Sequence, residues 1–317
     1  MSGALPTRDA IVATAGESIG RGSKSFAAAS RLFDRRTRER AWLLYAWCRA
    51  CDDLADGQDA GHHHHVVSDA EAEARLEVIR VRTAAALEGR WIGDPAFDAL
   101  RIVVAETGMP HRLVWDVVEG FALDAAGWRP RTEADLFKYS YHVAGAVGCM
   151  MAVVMGVPPN DNAVLDRACD LGLAFQLANI ARDIEADDRI GRCYLPEEWL
   201  VEMDMPPGQH MKPPFRPRLS VLAKRLAKCA ACYEESARGG TPALSFRSAW
   251  AVLAAAGIYG AIARKVAAIG DHAWDHRVKV GKLEKLGWIA RAWWQARNRK
   301  RRYSGTPRPD TLWQRPR

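Results

Sequence analysis

Leu171-Gly172-Leu173-Ala174-Phe175-Gln176-Leu177-Ala178-Asn179-Ile180-Ala181-Arg182-Asp183-Ile184-Glu185-Ala186-Asp187-Asp188 is the stretch on which the fold turns. Its run to Ile180 is strongly apolar, yet Gln176 and Asn179 interrupt it. Polar amides in an apolar helix need partners or a lined cavity. Asn179, Asp183 and Asp187 recur at four-residue steps, which stacks them on one helix face with Arg182 beside them. Oxygen donors alone suit a hard divalent cation, magnesium or manganese, rather than zinc, and such a cation in turn binds diphosphate oxygens. Arg182 can either clamp phosphate in bidentate fashion or pair with its acidic neighbours.

Roughly 130 residues upstream lies a second acidic cluster, Cys51-Asp52-Asp53-Leu54-Ala55-Asp56. Asp52 and Asp56 are one turn apart, and the cluster ends a segment whose apolar residues, Trp42, Leu43, Tyr45, Ala46 and Trp47, predict a helix buried on one face. Three carboxylates within five residues repel, so the grouping is destabilising unless cations bind. The plain alternative is an exposed helix end, although acids at a C-terminus oppose the helix dipole. Gly22-Ser23-Lys24-Ser25-Phe26 is a weaker candidate: it is no P-loop, since no strand precedes it, but it can hold phosphate at a helix start. Together the motifs suggest metal-assisted ionisation of a diphosphate ester in a dry apolar cavity. Tyr45, Phe121, Phe175 and Tyr259 can line that cavity, or can simply pack the core.

Helical periodicity runs through the rest of the chain, and no strand-like alternation of useful length occurs. Helices are expected over about Arg36–Asp56, Asp69–Leu87, Pro95–Glu106, His111–Ala125, Glu133–Met155, Asn162–Asp187, Ser220–Arg238, Ser245–Ile269 and Gly281–Arg301. Asp94-Pro95, Gly108-Met109-Pro110 and Gly239-Gly240-Thr241-Pro242 separate them, and Pro206 to Pro217, with five prolines, reads as a long surface loop. At 317 residues, 49% hydrophobic and 26% charged, the chain is globular rather than disordered. The expected organisation is one all-α domain over 1–302, a helical bundle with a central cavity, and a disordered basic Pro/Arg tail over 303–317.

The longest nearly uncharged stretches, Val143–Val157 and Ala249–Ala263, are too short for an ordinary membrane span. The N-terminus carries charge early and lacks a signal-peptide block, so a cytoplasmic protein is expected. Seven cysteines make no disulfide framework; the Cys48/Cys51 and Cys229/Cys232 pairs sit in helical patterns that disfavour a zinc knuckle. His62 to His65 read as a solvated connector rather than a metal site. The net charge of +7 gathers at the C-terminus, where nine Lys or Arg follow from Arg291 against Asp310 alone, among Trp293, Trp294, Tyr303 and Trp313. A basic aromatic tail suits an anionic membrane surface or nucleic acid, or is a fraying terminal helix.

Tyr45-Ala46-Trp47-Cys48-Arg49-Ala50-Cys51-Asp52-Asp53-Leu54-Ala55-Asp56 resembles the first aspartate-rich motif of the phytoene and squalene synthase family. Gln176 to Asp187, with Gly191-Arg192-Cys193-Tyr194-Leu195-Pro196 after it, resembles the second; Tyr141 to Gly148 resembles the helix between them, and Gly22 to Phe26 the N-terminal flap. The likeness runs from about residue 15 to about 290, and four motifs in order are far more specific than any one. The four histidines after the first motif depart from the family's usual pattern.

The resemblance implies an all-α isoprenoid synthase fold and head-to-head condensation of two prenyl diphosphates. In the carotenoid branch the substrate would be geranylgeranyl diphosphate and the product phytoene, with no nicotinamide reductant. By the same likeness Asp52, Asp53, Asp56, Asn179, Asp183 and Asp187 would serve the metal ions. Ser23, Lys24, Ser25, Tyr45, Arg49, Gln176, Arg182 and Tyr259 would contact the substrates. Lipid substrates imply peripheral association with the inner face of a membrane and hand-over to downstream carotenoid enzymes, with no role for nucleic acid. The rivals are a C30 synthase using farnesyl diphosphate, and a basic helical membrane- or nucleic-acid-binding module whose acids are structural.

Overall fold

A computed structural model describes residues 5–22, 27, 29–56 and 68–317, the side chains at 56 and 69 excepted. Among the described residues every regular element is helical and none is a strand, as the periodicity predicts. The helices are α1 (Arg8–Gly22), α2 (Arg35–Asp56), α3 (Asp69–Leu87), α4 (Pro95–Thr107), α5 (His111–Ala125), α6 (Glu133–Ser140), α7 (Ala146–Val154), α8 (Asn162–Arg189), α9 (Glu197–Glu202), α10 (Arg216–Arg238), α11 (Phe246–Ile269), α12 (Lys282–Arg297) and α13 (Arg299–Tyr303). The breaks follow local chemistry. Asp94 caps α4 ahead of Pro95, Gly108 ends it at φ 63°, and Ser68 and Thr132 form capping boxes with Glu71 and Asp135.

Two compact units divide the chain, Met1–Ala126 with Met150–Asn160, and Gly127–Cys149 with Asp161–Arg317. In the first, α2 packs on α1 and α4, burying Leu43, Leu44, Trp47 and Cys51 against a core that includes Ile19, Phe97, Leu100 and Val103. Arg8 and Arg40 close one end of that core on the Glu106 carboxylate. Helix α1 falls outside the expected elements: three glycines and scattered charge dilute its buried Ile11, Val12, Ala15 and Ile19 stripe.

In the second unit α8 is central, about 42 Å long for its 28 residues, and packs against α10 and α11. The segment expected as one helix over Glu133–Met155 is interrupted by a wider π turn at Tyr141–Gly145. There the backbones nearly touch. A Cβ at Gly172 would lie 2.3 Å from the Ala144 carbonyl oxygen, and one at Gly148 2.4 Å from that of Ala168. Helix α11 is long and apolar enough to cross a membrane by length and composition, although its uncharged stretch Ala249–Ala263 alone is too short, and half of its most apolar window is buried within the protein. Helix α10 begins at Arg216, earlier than expected, because Pro217 suits the first helical turn.

The expected disorder of 303–317 is not found. Tyr303, Leu312 and Arg315 are buried, and the tail is tied to α8 by ion pairs from Arg308 to Asp170 and from Arg315 and Arg317 to Asp166. The prolines and arginines that suggested a free tail instead strap a buried pair of acids.

Candidate active site

Each acidic motif sits where its helix turns from core to solvent. On α2 the buried residues Leu43, Leu44, Trp47 and Cys51 define one side, and Tyr45, Arg49 and Asp53 emerge half-buried beside it. The Asp53 carboxylate receives both Nε and Nη2 of Arg49, while Asp52, more exposed, lies 3.8 Å from Arg49 Nη1. Burial disfavours the Arg49 charge, but the bond to Asp53 outweighs it and holds the guanidinium above its ordinary range. At the end of α1, a Cβ on Gly22 would stand 2.4 Å from Tyr45 Oη and 3.8 Å from Arg49 Cδ. A side chain at this position would have to displace the Tyr45 hydroxyl. Ser23, Lys24, Ser25 and the His62 to His65 run lie outside the described residues, as does the Asp56 side chain.

On α8, Leu173, Ala174, Leu177, Ala178, Ile180, Ala181 and Ile184 are buried, and Gln176, Asn179, Asp183 and Asp187 form the half-buried stripe between them. The four-residue spacing thus puts one polar face on an otherwise apolar helix. Phe175 lies beside this stripe and stacks on Tyr259 of α11, ring centroids 4.1 Å apart.

Asp183 holds the most charge-rich position. Arg182 Nε donates to Oδ1 at 2.8 Å and its Nη2 to Oδ2. From the loop after α11, Arg277 Nε reaches Oδ1 at 2.9 Å and Nη2 reaches Oδ2 at 3.0 Å. Burial pushes this carboxyl up, but the two guanidiniums prevail and hold it below the usual carboxylate range. Arg277 is held above its ordinary value, first by the bond to Asp183, and it also feels the field of Asp187 and Tyr259. The loop is anchored nearby: the buried Trp274 indole donates to the Ala181 carbonyl at 3.0 Å. Arg277 was not among the residues expected from sequence.

Arg182 therefore meets a carboxylate rather than standing open, so of its two expected roles the pairing one is what the structure displays. Among the described residues no three acidic, imidazole or thiol groups converge on one point as a pre-formed cation site. Each helix face by itself still suits a hard cation in its chemistry, α2 offering carboxylate oxygens and α8 carboxylate and amide oxygens. In their present arrangement arginines supply the positive charge that such a cation would bring. The cysteines offer no competing site: all seven are free, and burial pushes the Cys48 thiol up to about 12 and Cys229 to about 11, away from the thiolate that zinc requires.

Among the described residues every regular element is helical, and two of the helices each carry an arginine-held carboxylate on a half-buried face. Residues 19–284 match the family model described as squalene/phytoene synthase. The chain belongs to that family. It is 46% identical over 300 residues to a phytoene synthase of Pseudescherichia vulneris, covering 95% of this chain and 96% of that one. It is 45% identical over 296 residues to a 15-cis-phytoene synthase of Enterobacter agglomerans, covering 93% and 99%. Among solved structures, a dehydrosqualene synthase crystallised with a ligand superposes with a TM-score of 0.81 at 27% identity, covering 92% of this chain and 98% of its own.

Proposed function

We propose that this chain condenses two molecules of geranylgeranyl diphosphate head to head, by way of prephytoene diphosphate, to phytoene and diphosphate in carotenoid biosynthesis. The observation that carries the substrate choice is the 45–46% identity to proteins named phytoene synthases along nearly their whole length. The half-buried stripe on α8, with its arginine-clamped carboxylate, supports the chemistry.

In this reading Asp52, Asp53, Asp56, Asn179, Asp183 and Asp187 are the oxygen donors for magnesium or manganese ions. Bound there, a divalent cation would neutralise charge on the departing diphosphate. Arg49, Arg182 and Arg277 offer planar forks that match phosphate oxygens, so each can exchange a carboxylate partner for a phosphate one. Ser23, Lys24, Ser25, Tyr45 and Gln176 are assigned to further substrate contacts. The stacked Phe175 and Tyr259 rings present π faces suited to the cation that forms when diphosphate leaves. The second substrate's double bond attacks the allylic cation, and loss of a first proton closes the three-membered ring of a cyclopropylcarbinyl diphosphate. Its ionisation, rearrangement and loss of a proton give the hydrocarbon, with no reductant consumed.

Incubating the purified protein with geranylgeranyl diphosphate and magnesium, without a nicotinamide, and analysing the hydrocarbon products tests this. Phytoene is the expected product, and chelation of the metal should abolish it. Preference for farnesyl diphosphate with a C30 product, or no turnover of either diphosphate, would overturn the reading.

A further inference from the structure

Helix α12 is amphipathic the wrong way round for a helix that only packs a core. Its inner side is fully used. Ala292, Gln295 and Ala296 are buried, the Trp288 ring fills the space where a Cβ of Gly257 would lie, and the Trp250 indole donates to the Ile289 carbonyl at 2.8 Å. Its outer side carries Leu283, 84% exposed, Leu286, 61%, Trp293, 42%, and Trp294, 52%. Positions 283, 286, 290 and 294 are three or four residues apart, so Leu283, Leu286, Ala290 and Trp294 form one continuous outward stripe. Scattered surface leucines need no explanation, but four large exposed apolar side chains on one 16-residue helix do.

The charge around the stripe is of one sign. From Lys279 to Arg302 there are nine lysines and arginines and one acid, Glu284, which is engaged by Lys265. Arg302 lies over the exposed Trp294 ring at 4.9 Å, and Arg297 over Trp293 at 6.0 Å. An outward Leu/Trp stripe framed by cations fits one environment above others, the headgroup boundary of an anionic bilayer, where indoles settle and basic side chains meet lipid phosphates.

We infer that the outer face of α12 docks this protein on anionic lipid bilayers, with Leu283, Leu286 and Trp294 entering the interface and Lys282, Lys285, Arg297 and Arg301 against headgroup phosphates. The placement matters for the chemistry. The segment that leads into α12 also delivers Arg277 to Asp183, and Lys265 ties it down by binding both Glu284 and the Lys279 carbonyl. The polar face of α8 and the lipid-facing stripe of α12 are therefore joined by a short anchored connection. The inference rests on the prenyl-diphosphate reading for its purpose, because an amphiphilic substrate and a hydrocarbon product reside in lipid, but not for its test.

The test is co-sedimentation of the full-length protein with vesicles of phosphatidylglycerol and phosphatidylcholine, and with phosphatidylcholine alone. The parent should bind the anionic vesicles, more weakly as salt rises, and the zwitterionic ones poorly. Leu283→Asp combined with Leu286→Asp should lower the partition coefficient about tenfold or more. Its circular dichroism and its turnover of detergent-dispersed substrate should stay unchanged. Lys282→Glu with Arg301→Glu, both exposed, should remove the preference for anionic lipid and provides a second route should the first variant fold poorly. Equal binding by parent and both variants would overturn the proposal, as would equal parental binding to both lipids. So would a dimer that the leucine variant dissociates without loss of vesicle binding, because a second copy would then cover the stripe. Vesicle binding without diphosphate turnover would defeat the functional reading and leave this one standing.

Discussion

Replacing Arg308 by methionine tests the C-terminal strap most directly. Asp170 on α8 is fully buried, and Arg308 binds it with two bonds of 2.9 and 2.7 Å while also donating to the Trp313 carbonyl at 2.7 Å. Removing one partner of a buried pair costs about 3–5 kcal/mol, because the remaining charge keeps no water. Two features favour the lower end. Ser236 Oγ still donates to Asp170, and Arg167 lies near enough for its charge to stabilise the carboxylate. A loss of about 3 kcal/mol corresponds to a fall of about 6–12 °C in Tm by the scaling for chains of this order. The pH dependence is the sharper test. Burial holds the Asp170 carboxyl above the usual range in the parent, while Arg308, less deeply placed, is raised by its bond to the acid. A raised folded value makes the acid's contribution best at low pH and progressively worse as pH rises through that value. Without Arg308 the value rises further, so the variant's deficit relative to the parent should grow as pH rises and be larger at pH 8 than at pH 5. Urea titrations of both proteins at the two pH values measure this. A loss below about 1 kcal/mol at pH 8, or one equal at both pH values, would refute the assignment of Arg308 as the counter-ion of a buried carboxylate.

Four further outcomes are expected. Gly172→Ala should cost about 3 kcal/mol or more, read from urea midpoints or soluble yield, because its Cβ meets the Ala144 backbone 2.3 Å away. Gly287→Ala, with nothing within 4 Å, should instead gain about 0.5–1 kcal/mol. Arg277→Gln should lower kcat/KM by more than about tenfold while circular dichroism is unchanged, since the Arg277 side chain is mostly exposed and bonds chiefly to Asp183. Gly22→Ala should raise KM without changing the melting temperature by more than about 2 °C, because the added methyl displaces the Tyr45 hydroxyl rather than any backbone.

Much of this architecture is legible in the amino-acid sequence because it obeys periodicity. The four-residue steps at Asn179, Asp183 and Asp187, set in an apolar run, define both a helix and the face that stays half-open. Arg277 is not legible in that way. It comes from a loop 94 residues beyond Asp183, where no spacing rule links a cation to its partner. The tail misleads for a different reason: composition speaks for disorder, whereas a few specific anchors decide order. A usable signal was present in Asp166 and Asp170, two acids one turn apart in an apolar part of α8. Buried acids require counter-ions, and the arginines at 308 and 315 supply them from roughly 140 to 150 residues away in sequence.

Arginine–carboxylate pairs recur along α2 and α8, and their burial separates two kinds of work. At Asp170 the acid is sealed and the arginine side chain only 14% exposed, so neither can change partner without stranding a charge. At Asp183 the carboxylate is 18% exposed and Arg277 60%, so water or an anion can replace Arg277 at a smaller desolvation cost, whereas Arg182, 14% exposed, is held as closely as Arg308. Asp53 and Arg49, each 24% exposed, fall on the same side of that division. A diphosphate presents several oxygens to a guanidinium where a carboxylate presents two, and a cation can take the released acid. On the proposed function the open pairs would exchange counter-ions, whereas the sealed pair holds the strap on the helix that carries one of them. Stability and reactivity are built from the same two residue types on α8, three to four turns apart, and depth decides which each serves.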